Sequence, residues 1–429
     1  MQALTKPAIK SRKDKTADLQ NDIETEAAQQ KKTSSLQLAE DFLKAKYDFR
    51  FNILTCNTEF KTKKQKEYND LDRYFFNSIL REMKLGGYAI KKEELEMLLS
   101  SDFIKRADPI KEYIHTLPDW DGINYIGALC DTVNVHNSEH WQNFFKKWIV
   151  AVFANALDDQ NCANHCCLVL TGGQGAYKTT WLNNLCSNGL RKYIFTGRLD
   201  LDVKNKDTMS IMAEHLFVNI DDQLWNLHFH KQREDDLKNL ITLQTVKYRR
   251  PYDRSVKEYP HLSSFMGSVN RREFLTDSTG SRRFLSFEVM SIEIDRAKRI
   301  DMDKVYSQAL HLLRSGFQYW FAAEEVKTIE QNNSIFKANT IEEELILRHY
   351  TKPEHEHENT YLTATDIKSH LEEISRQKIS LHKLGEALGK LGYEKQQKRF
   401  KDEQRAWVYC IKEISGIEKQ EDMRKMDKE

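Results

Sequence analysis

Apolar residues recur at two periods along this chain, and the change of period marks its organisation. Between about Leu36 and Thr132 the spacing is helical: Leu71, Phe75, Ile79, Leu80 and Met83 share one face of a 3.6-residue repeat, as do Leu95, Leu98 and Leu99. The pattern predicts a small, mostly α-helical domain with one short strand near Phe49 to Cys56. Asp108 before Pro109 has the form of a helix start, because proline loses no hydrogen bond at the first helical position. That helix is expected to reach Leu117, ahead of a turn at Trp120, Asp121 and Gly122. From His140 to Leu157 the dense run of Trp141, Phe144, Phe145, Trp148, Ile149, Val152 and Phe153 predicts a long amphipathic helix packed on the next unit.

After that helix the grammar changes. His165 to Thr171 reads as an apolar strand, Gly172 to Gly175 as a loop, and Lys178 to Leu185 as the start of a helix, which together form one βα unit of a parallel sheet. Two further apolar runs, Leu216 to Ile220 and Ser264 to Val269, read as strands. The pattern breaks again between about Ala338 and Tyr361. Beyond it, helices are expected at Asp366 to Ser375 and after Ser380, with Leu381, Leu384, Leu388 and Leu391 on one face. A hairpin from Tyr393 to Ile411 is expected to turn at Asp402 to Gln404. Helix, helix, hairpin is the order of a winged helix. The expected division is a disordered tail at 1–35, a helical domain at 36–135, an α/β domain at 136–340, a winged-helix-like domain at 341–412 and a charged tail at 413–429.

Length and composition agree with several cores: 429 residues with 40% hydrophobic side chains exceed one domain of about 150 residues. Charged residues make up 31%, and no run approaches the roughly 18 apolar residues of a membrane span, so a cytoplasmic location is expected. Sixty-six basic against 65 acidic residues leave net charge uninformative, and only local charge can speak for nucleic acid. Twelve basic and seven acidic residues between His230 and Arg283 give that stretch about +5. Within it Lys247, Tyr248, Arg249, Arg250, Tyr252, Arg254 and Lys257 interleave cations with aromatics, a mix that suits a phosphate backbone and unpaired bases. A solvated basic hairpin or a set of subunit salt bridges is the alternative. The seven cysteines are expected as reduced, mostly buried thiols.

The glycine loop carries the candidate chemistry. Gly172, Gly173, Gln174, Gly175, Ala176, Tyr177, Lys178, Thr179 and Thr180 follow the pattern G-x-x-x-x-G-K-[ST] except that Tyr177 stands where glycine is usual. Such a loop aims backbone N–H groups and a helix N-terminus at phosphate, with Lys178 as a point charge and Thr179 as a hydroxyl for Mg²⁺. Tyr177 must adopt a backbone conformation that glycine reaches easily, with Gly173 and Gly175 expected to supply the remaining freedom. About forty residues on, Ile220 leads into Asp221, expected to hold the metal, and Asp222, expected to orient or deprotonate water. Asn270 ends the third apolar run and is placed to sense the γ-phosphate or the attacking water. Arg282 and Arg283 follow a glycine turn and could reach a neighbouring subunit's phosphates.

The loop, the Asp221-Asp222 strand end, the Asn270 strand and the Asp277 to Arg283 segment resemble the virulence-associated protein E family. Asp108 to Tyr113, Trp120 to Gly122 and Arg249 to Arg254 support the resemblance, which covers about residues 105–290. The motif order is similar to that of superfamily 3 helicases, AAA+-like ring ATPases. The resemblance implies a P-loop ATPase core using ATP and Mg²⁺, a homo-oligomeric ring, and a helicase-type role on DNA in replication of a phage or mobile element. No primase chemistry is visible, so priming would fall to a separate polypeptide. A nucleotide-gated switch or host-interference protein that unwinds nothing is the alternative, and Tyr177 is the residue that favours it.

Overall fold

In a computed structural model, residues 35–136, 138–221, 223–227, 231–250, 254–275, 280–337, 339–353, 360–399 and 405–414 are described. The chain divides between Leu117 and Pro118 into two compact units. The first holds helix α1 (residues 35–46), strands β1 (Tyr47–Asn52), β2 (Asn57–Thr62) and β3 (Asn69–Asp70), helices α2 (Arg73–Leu85) and α3 (Lys92–Leu99), strand β4 (Lys105–Ala107) and helix α4 (Pro109–Thr116). Its sheet runs β3-β2-β1-β4. The expectation of a mostly helical domain is therefore corrected to a mixed one. The strand expected near Phe49 to Cys56 is present as β1, in which Tyr47, Phe49 and Phe51 point into the helical core while Asp48 and Arg50 point away. Its partners β2, β3 and β4 are short and largely polar, and the helical periodicity around them masks them. Arg50 binds the fully buried Glu59 at 2.6 Å and Glu112 at 3.1 Å, so the polar face is paired internally. Asp108 caps α4 through Ile110 N and Lys111 N.

The second unit begins earlier than expected, at 118 and not 136, because strand β5 (Val133–Val135) joins its sheet and helix α5 (Tyr125–Cys130) leads into that strand. Then follow α6 (Trp141–Leu157), β6 (Cys167–Thr171), α7 (Lys178–Asn184), β7 (Ile194–Thr196), α8 (Lys206–Glu214), β8 (Phe217–Asn219), α9 (Gln223–Leu227) and α10 (Lys231–Thr242). A hairpin of β9 (Thr245–Tyr248) and β10 (Lys257–Pro260) precedes β11 (Ser264–Val269) and β12 (Phe284–Ile292). The sheet order is β5-β12-β6-β11-β8-β7, parallel throughout except for β5. Helices α11 (Ile294–Ala297), α12 (Met302–Arg314) and α13 (Ala323–Asn333) close this part.

Parallel strands covered on both faces are mostly apolar, and every residue of β6, β8 and β11 is buried. Cys167, Val169, Val218, Phe265 and Val269 pack with side chains of α8, α9 and α10. On the opposite face α6 buries thirteen of its seventeen residues, with Trp148 against Phe217 and Trp141 against Phe287. The two polar residues that α6 buries both have partners: Lys147 binds Glu325 at 2.8 Å, and Asn155 ties Ala163 N to the carbonyls of His261 and Leu262.

The remaining elements are α14 (Ile341–His349), β13 (Tyr350–Thr351), β14 (Thr360–Thr363), α15 (Ala364–Ser375), α16 (Leu381–Lys390), β15 (Lys395–Arg399) and β16 (Arg405–Glu413), gathered round their own apolar core. The helix, helix, hairpin order stands as read, with β14 as a third strand on β16. Ser380 occupies the N-cap position of α16 but its side chain makes no capping hydrogen bond. The expected turn at Asp402 to Gln404 lies outside the described residues, as do both tails apart from Ser35, Glu413 and Ile414. Among the described residues no helix is long and apolar enough to cross a membrane.

His261, just ahead of β11, is buried with Nδ1 donating to Leu243 O at 2.6 Å and no hydrogen-bond partner for Nε2. Burial, with a smaller push from His165, holds its pKa at about 4 against the ordinary 6.5. A depressed histidine pKa means the unfolded chain takes up the proton first as pH falls. The contribution is intact above pH 6.5 and is lost progressively towards pH 4, at a cost of up to about 3 kcal/mol. Urea unfolding at pH 7 and pH 5 should show this loss, and His261→Asn, which keeps a donor near the Nδ1 position, should flatten it.

Candidate functional site

Three loops meet at the carboxyl ends of β6, β11 and β8, the place where open parallel sheets gather ligands. The register dictates what meets there. Val269 lies opposite Thr171 and Met266 opposite both Leu168 and Asn219, so Asn270 falls beside Gly172 and Ser268 beside Asp221. Gly172 continues the ladder through its N–H to Val269 O at 3.2 Å. Its φ is +137°, and a Cβ there would sit 2.6 Å from Val289 O, so no other residue fits. Gly175 also has positive φ, at +83°, whereas Gly173 does not; the freedom expected of Gly173 resides in Gly172. Beside both Gly173 and Gly175 a Cβ would meet open space, which leaves their backbone approachable by a ligand.

Tyr177 takes the left-handed conformation, φ +58° and ψ +17°, as N-cap of α7, and the residue is 56% exposed. A non-glycine residue held there carries roughly 1–2 kcal/mol of strain. The ring points outward, so the strain is not recovered by burial. What the tyrosine permits is the next step: α7 starts at once, with Trp181 N bound to Tyr177 O at 2.9 Å, and Lys178 enters the loop from the first helical residue.

Lys178 is buried, and its Nζ donates to Gly172 O at 2.8 Å, Gly173 O at 2.7 Å and Asn270 Oδ1 at 3.1 Å. Thr179 Oγ1 donates to Asp221 Oδ2 at 2.8 Å and lies 3.0 Å from Ser268 Oγ, which itself donates to Asp221 Oδ1. One turn further along α7, Asn183 Oδ1 accepts from Asn219 Nδ2 at 2.8 Å, so helix and strand are joined at two levels. Two hydroxyls and a carboxylate converge as hard oxygen donors, a set suited to Mg²⁺ more than to soft metals.

A profile of the Virulence-associated protein E-like domain matches residues 114–338, just over half of the 429 residues. The chain belongs to the virulence-associated protein E-like family. The match covers the glycine loop, the Asp221 strand end, Asn270 and both arginines. Among curated proteins, none matches this virulence-associated protein E-like chain. Among solved structures it is similar to the apo structure of the NrS-1 C terminal region (305-718), at 10% identity over 89% of this chain and 99% of that one, with a TM-score of 0.48. It is also similar to the A form apo structure of the same region, at 11% identity over 89% and 100% of the two chains, with a TM-score of 0.46.

The other expected residues of this virulence-associated protein E-like protein separate into groups. Asp222, Tyr252 and Asp277 lie outside the described residues. Lys247, Arg249, Arg254 and Lys257 are exposed on and beside the β9–β10 hairpin, with Lys247 3.5 Å from Glu258. Arg250 is not available to a backbone phosphate: it is buried, donates to Tyr248 Oη at 2.9 Å and lies 4.1 Å over the Tyr259 ring. Strand alternation sends Val246, Tyr248 and Arg250 inward and Lys247 and Arg249 outward.

Arg282 and Arg283 stand at the start of β12, where Phe284 lies opposite Cys167, while the loop lies beyond Thr171 at the other end. About 13 Å of strand separates them from Lys178's end of the sheet. Asn333 Nδ2 fixes their turn by donating to Ser281 O and Phe284 O. Both arginines line a cleft of about 580 Å³ with Asp235, Lys238, Asn239, Gly280 and Glu330. Sequence reasoning missed Ser268, although its place two residues before Asn270, on the face shared with Asp221, was the available signal. It also missed the stack of Arg271 on Trp225, 4.5 Å from the ring, which links the Asn270 and Asp221 loops.

The strain at Tyr177 can be read directly. Tyr177→Gly should hold or raise stability in urea unfolding, whereas Tyr177→Val, which tolerates positive φ worst, should lie about 1–2 kcal/mol below the glycine variant.

Proposed function

We propose that this chain is a Mg²⁺-dependent, ATP-hydrolysing motor of the helicase type that acts on DNA in the replication of a phage or mobile element. The convergence of Lys178, Thr179, Asp221, Ser268 and Asn270 on the glycine loop carries the reading. In it, residues 172–180 are a P-loop and residues 341–412 a winged helix. Lys178 leaves the loop carbonyls to meet the β- and γ-phosphates, and the backbone at Gly173 and Gly175 approaches them closely. Thr179 and Asp221 would hold Mg²⁺, with Ser268 keeping the carboxylate turned toward the threonine. The bound ion neutralises phosphate charge.

Hydrolysis then follows from what the side chains hold. Water's oxygen bonds to the γ-phosphorus, the bridging oxygen leaves with its electron pair on ADP, and the proton passes to Asp222. Asn270, released from Lys178, is positioned to orient the water or the γ-phosphate. Arg282 and Arg283, at the far end of their own sheet, would serve the site of a neighbouring subunit, so the reading calls for a homo-oligomeric ring. Lys247, Arg249, Arg254 and Lys257 would face DNA along its channel.

Tyr177 supports a second reading, a nucleotide-gated switch that binds ATP and a partner without unwinding. A strand-displacement assay beside mass measurement with and without ATP separates the two: unwinding by a ring supports the motor, and a monomer that unwinds nothing supports the switch. For hydrolysis itself, Lys178→Ala should reduce DNA-stimulated phosphate release at least ~100-fold, as expected when a charge on the transferred group is removed. Undiminished release would refute the assignment.

A further inference from the structure

The hairpin of β15 and β16 extends past the sheet that anchors it. Strand β14 pairs with β16 only as far as Thr363 opposite Val408, whereas β15 continues to Arg399 opposite Arg405. From Trp407 to Arg405 the chain is thus a two-stranded ribbon. All five residues of β15 are exposed.

One face of that ribbon has a composition that water alone does not explain. Trp407 is 54% exposed in the middle of a strand, where an indole would ordinarily be covered. Its cross-strand partner is Gln397, its diagonal neighbours are Lys395 and Arg399, and Arg405 lies two residues before it on the same face. Lys395 Nζ is 5.4 Å from the centre of the indole ring. A flat aromatic ringed by three cations and an amide matches an unpaired base with the phosphates on either side of it. The base would stack on the ring and the cations would follow the backbone.

We propose that the Trp407 face of this hairpin binds single-stranded DNA by stacking one unpaired base on the indole between Lys395, Arg399 and Arg405. This rests on the reading of the chain as DNA-associated, and it adds a single-strand contact outside the ATPase domain. Gln397 can hydrogen-bond a base edge, and its amide serves any base, so the contact is expected to be tolerant of sequence. An acidic peptide would find the same cations but would leave the indole unused.

The test is a fluorescence-anisotropy titration of the full chain with a labelled 20-nucleotide oligothymidylate, alongside blunt duplex of equal length. Trp407→Ala should weaken oligothymidylate binding roughly tenfold with a smaller effect on the duplex, and Trp407→Phe should restore most of the loss. The Lys395→Gln, Arg399→Gln, Arg405→Gln variant should make the log–log salt dependence shallower by about 2. Wild-type binding matched by Trp407→Ala would overturn this proposal and leave the DNA-associated reading standing. Failure of the wild type to bind either DNA would overturn both. A changed oligomeric mass of Trp407→Ala with unchanged DNA binding would assign the face to a protein contact and overturn it too. Because the ring is exposed, unaltered thermal unfolding is the check that each variant is folded.

Discussion

The parallel register of β6, β11 and β8 is the constraint on which the rest depends. With Val269 opposite Thr171 and Met266 opposite Asn219, β6 and β11 end level and Asp221, two residues beyond the end of β8, comes beside Ser268, so that Thr179, Ser268 and Asp221 fall within hydrogen-bond reach. A slip of one residue would turn Ser268 and Asp221 to the opposite face of the sheet. That register is held by burial: each strand is buried on both sides, and the aromatic residues of α6 cover one face while α8 and α10 cover the other. The chemistry at the loop is therefore set by packing well below it.

How Lys178 is held follows from the same arrangement. A buried ammonium needs partners, and here two loop carbonyls and the Asn270 amide oxygen supply them. In the proposed reading, a phosphate entering the loop would compete for those three hydrogen bonds and so tie occupation of the loop to the position of Asn270. Arg271 follows Asn270 directly and stacks on Trp225, three residues after Asp222, so the two loops are joined by a physical contact.

Much of this was legible in the order of residues, for reasons that particular elements make plain. The βα unit at 167–184 could be read because its doubly buried strand is a continuous apolar run up to Thr171 and a glycine loop has no helical period. The long helix at 141–157 and the Asp108–Pro109 start were equally clear. The strand at Phe49 was legible, but the rest of the N-terminal sheet was not, because β2, β3 and β4 are short and mostly polar runs with no apolar alternation to mark them. The same period of two, applied to Val246, Tyr248 and Arg250, separates the inward arginine from the outward Lys247 and Arg249; a count of charges alone does not. The boundary near residue 117 was hidden because β5 joins its sheet through a distant partner, β12, which local periodicity cannot reveal. Ser268 belongs to the same class: its role appears only once the register is known.

The central claim is that a triphosphate seats in the loop before α7 in spite of a left-handed tyrosine. Calorimetric titration of the full chain with a non-hydrolysable ATP analogue, with and without Mg²⁺, tests it most directly. The account predicts one site per chain at sub-millimolar affinity, tightened by Mg²⁺. Absence of binding heat at millimolar nucleotide in both conditions would contradict it.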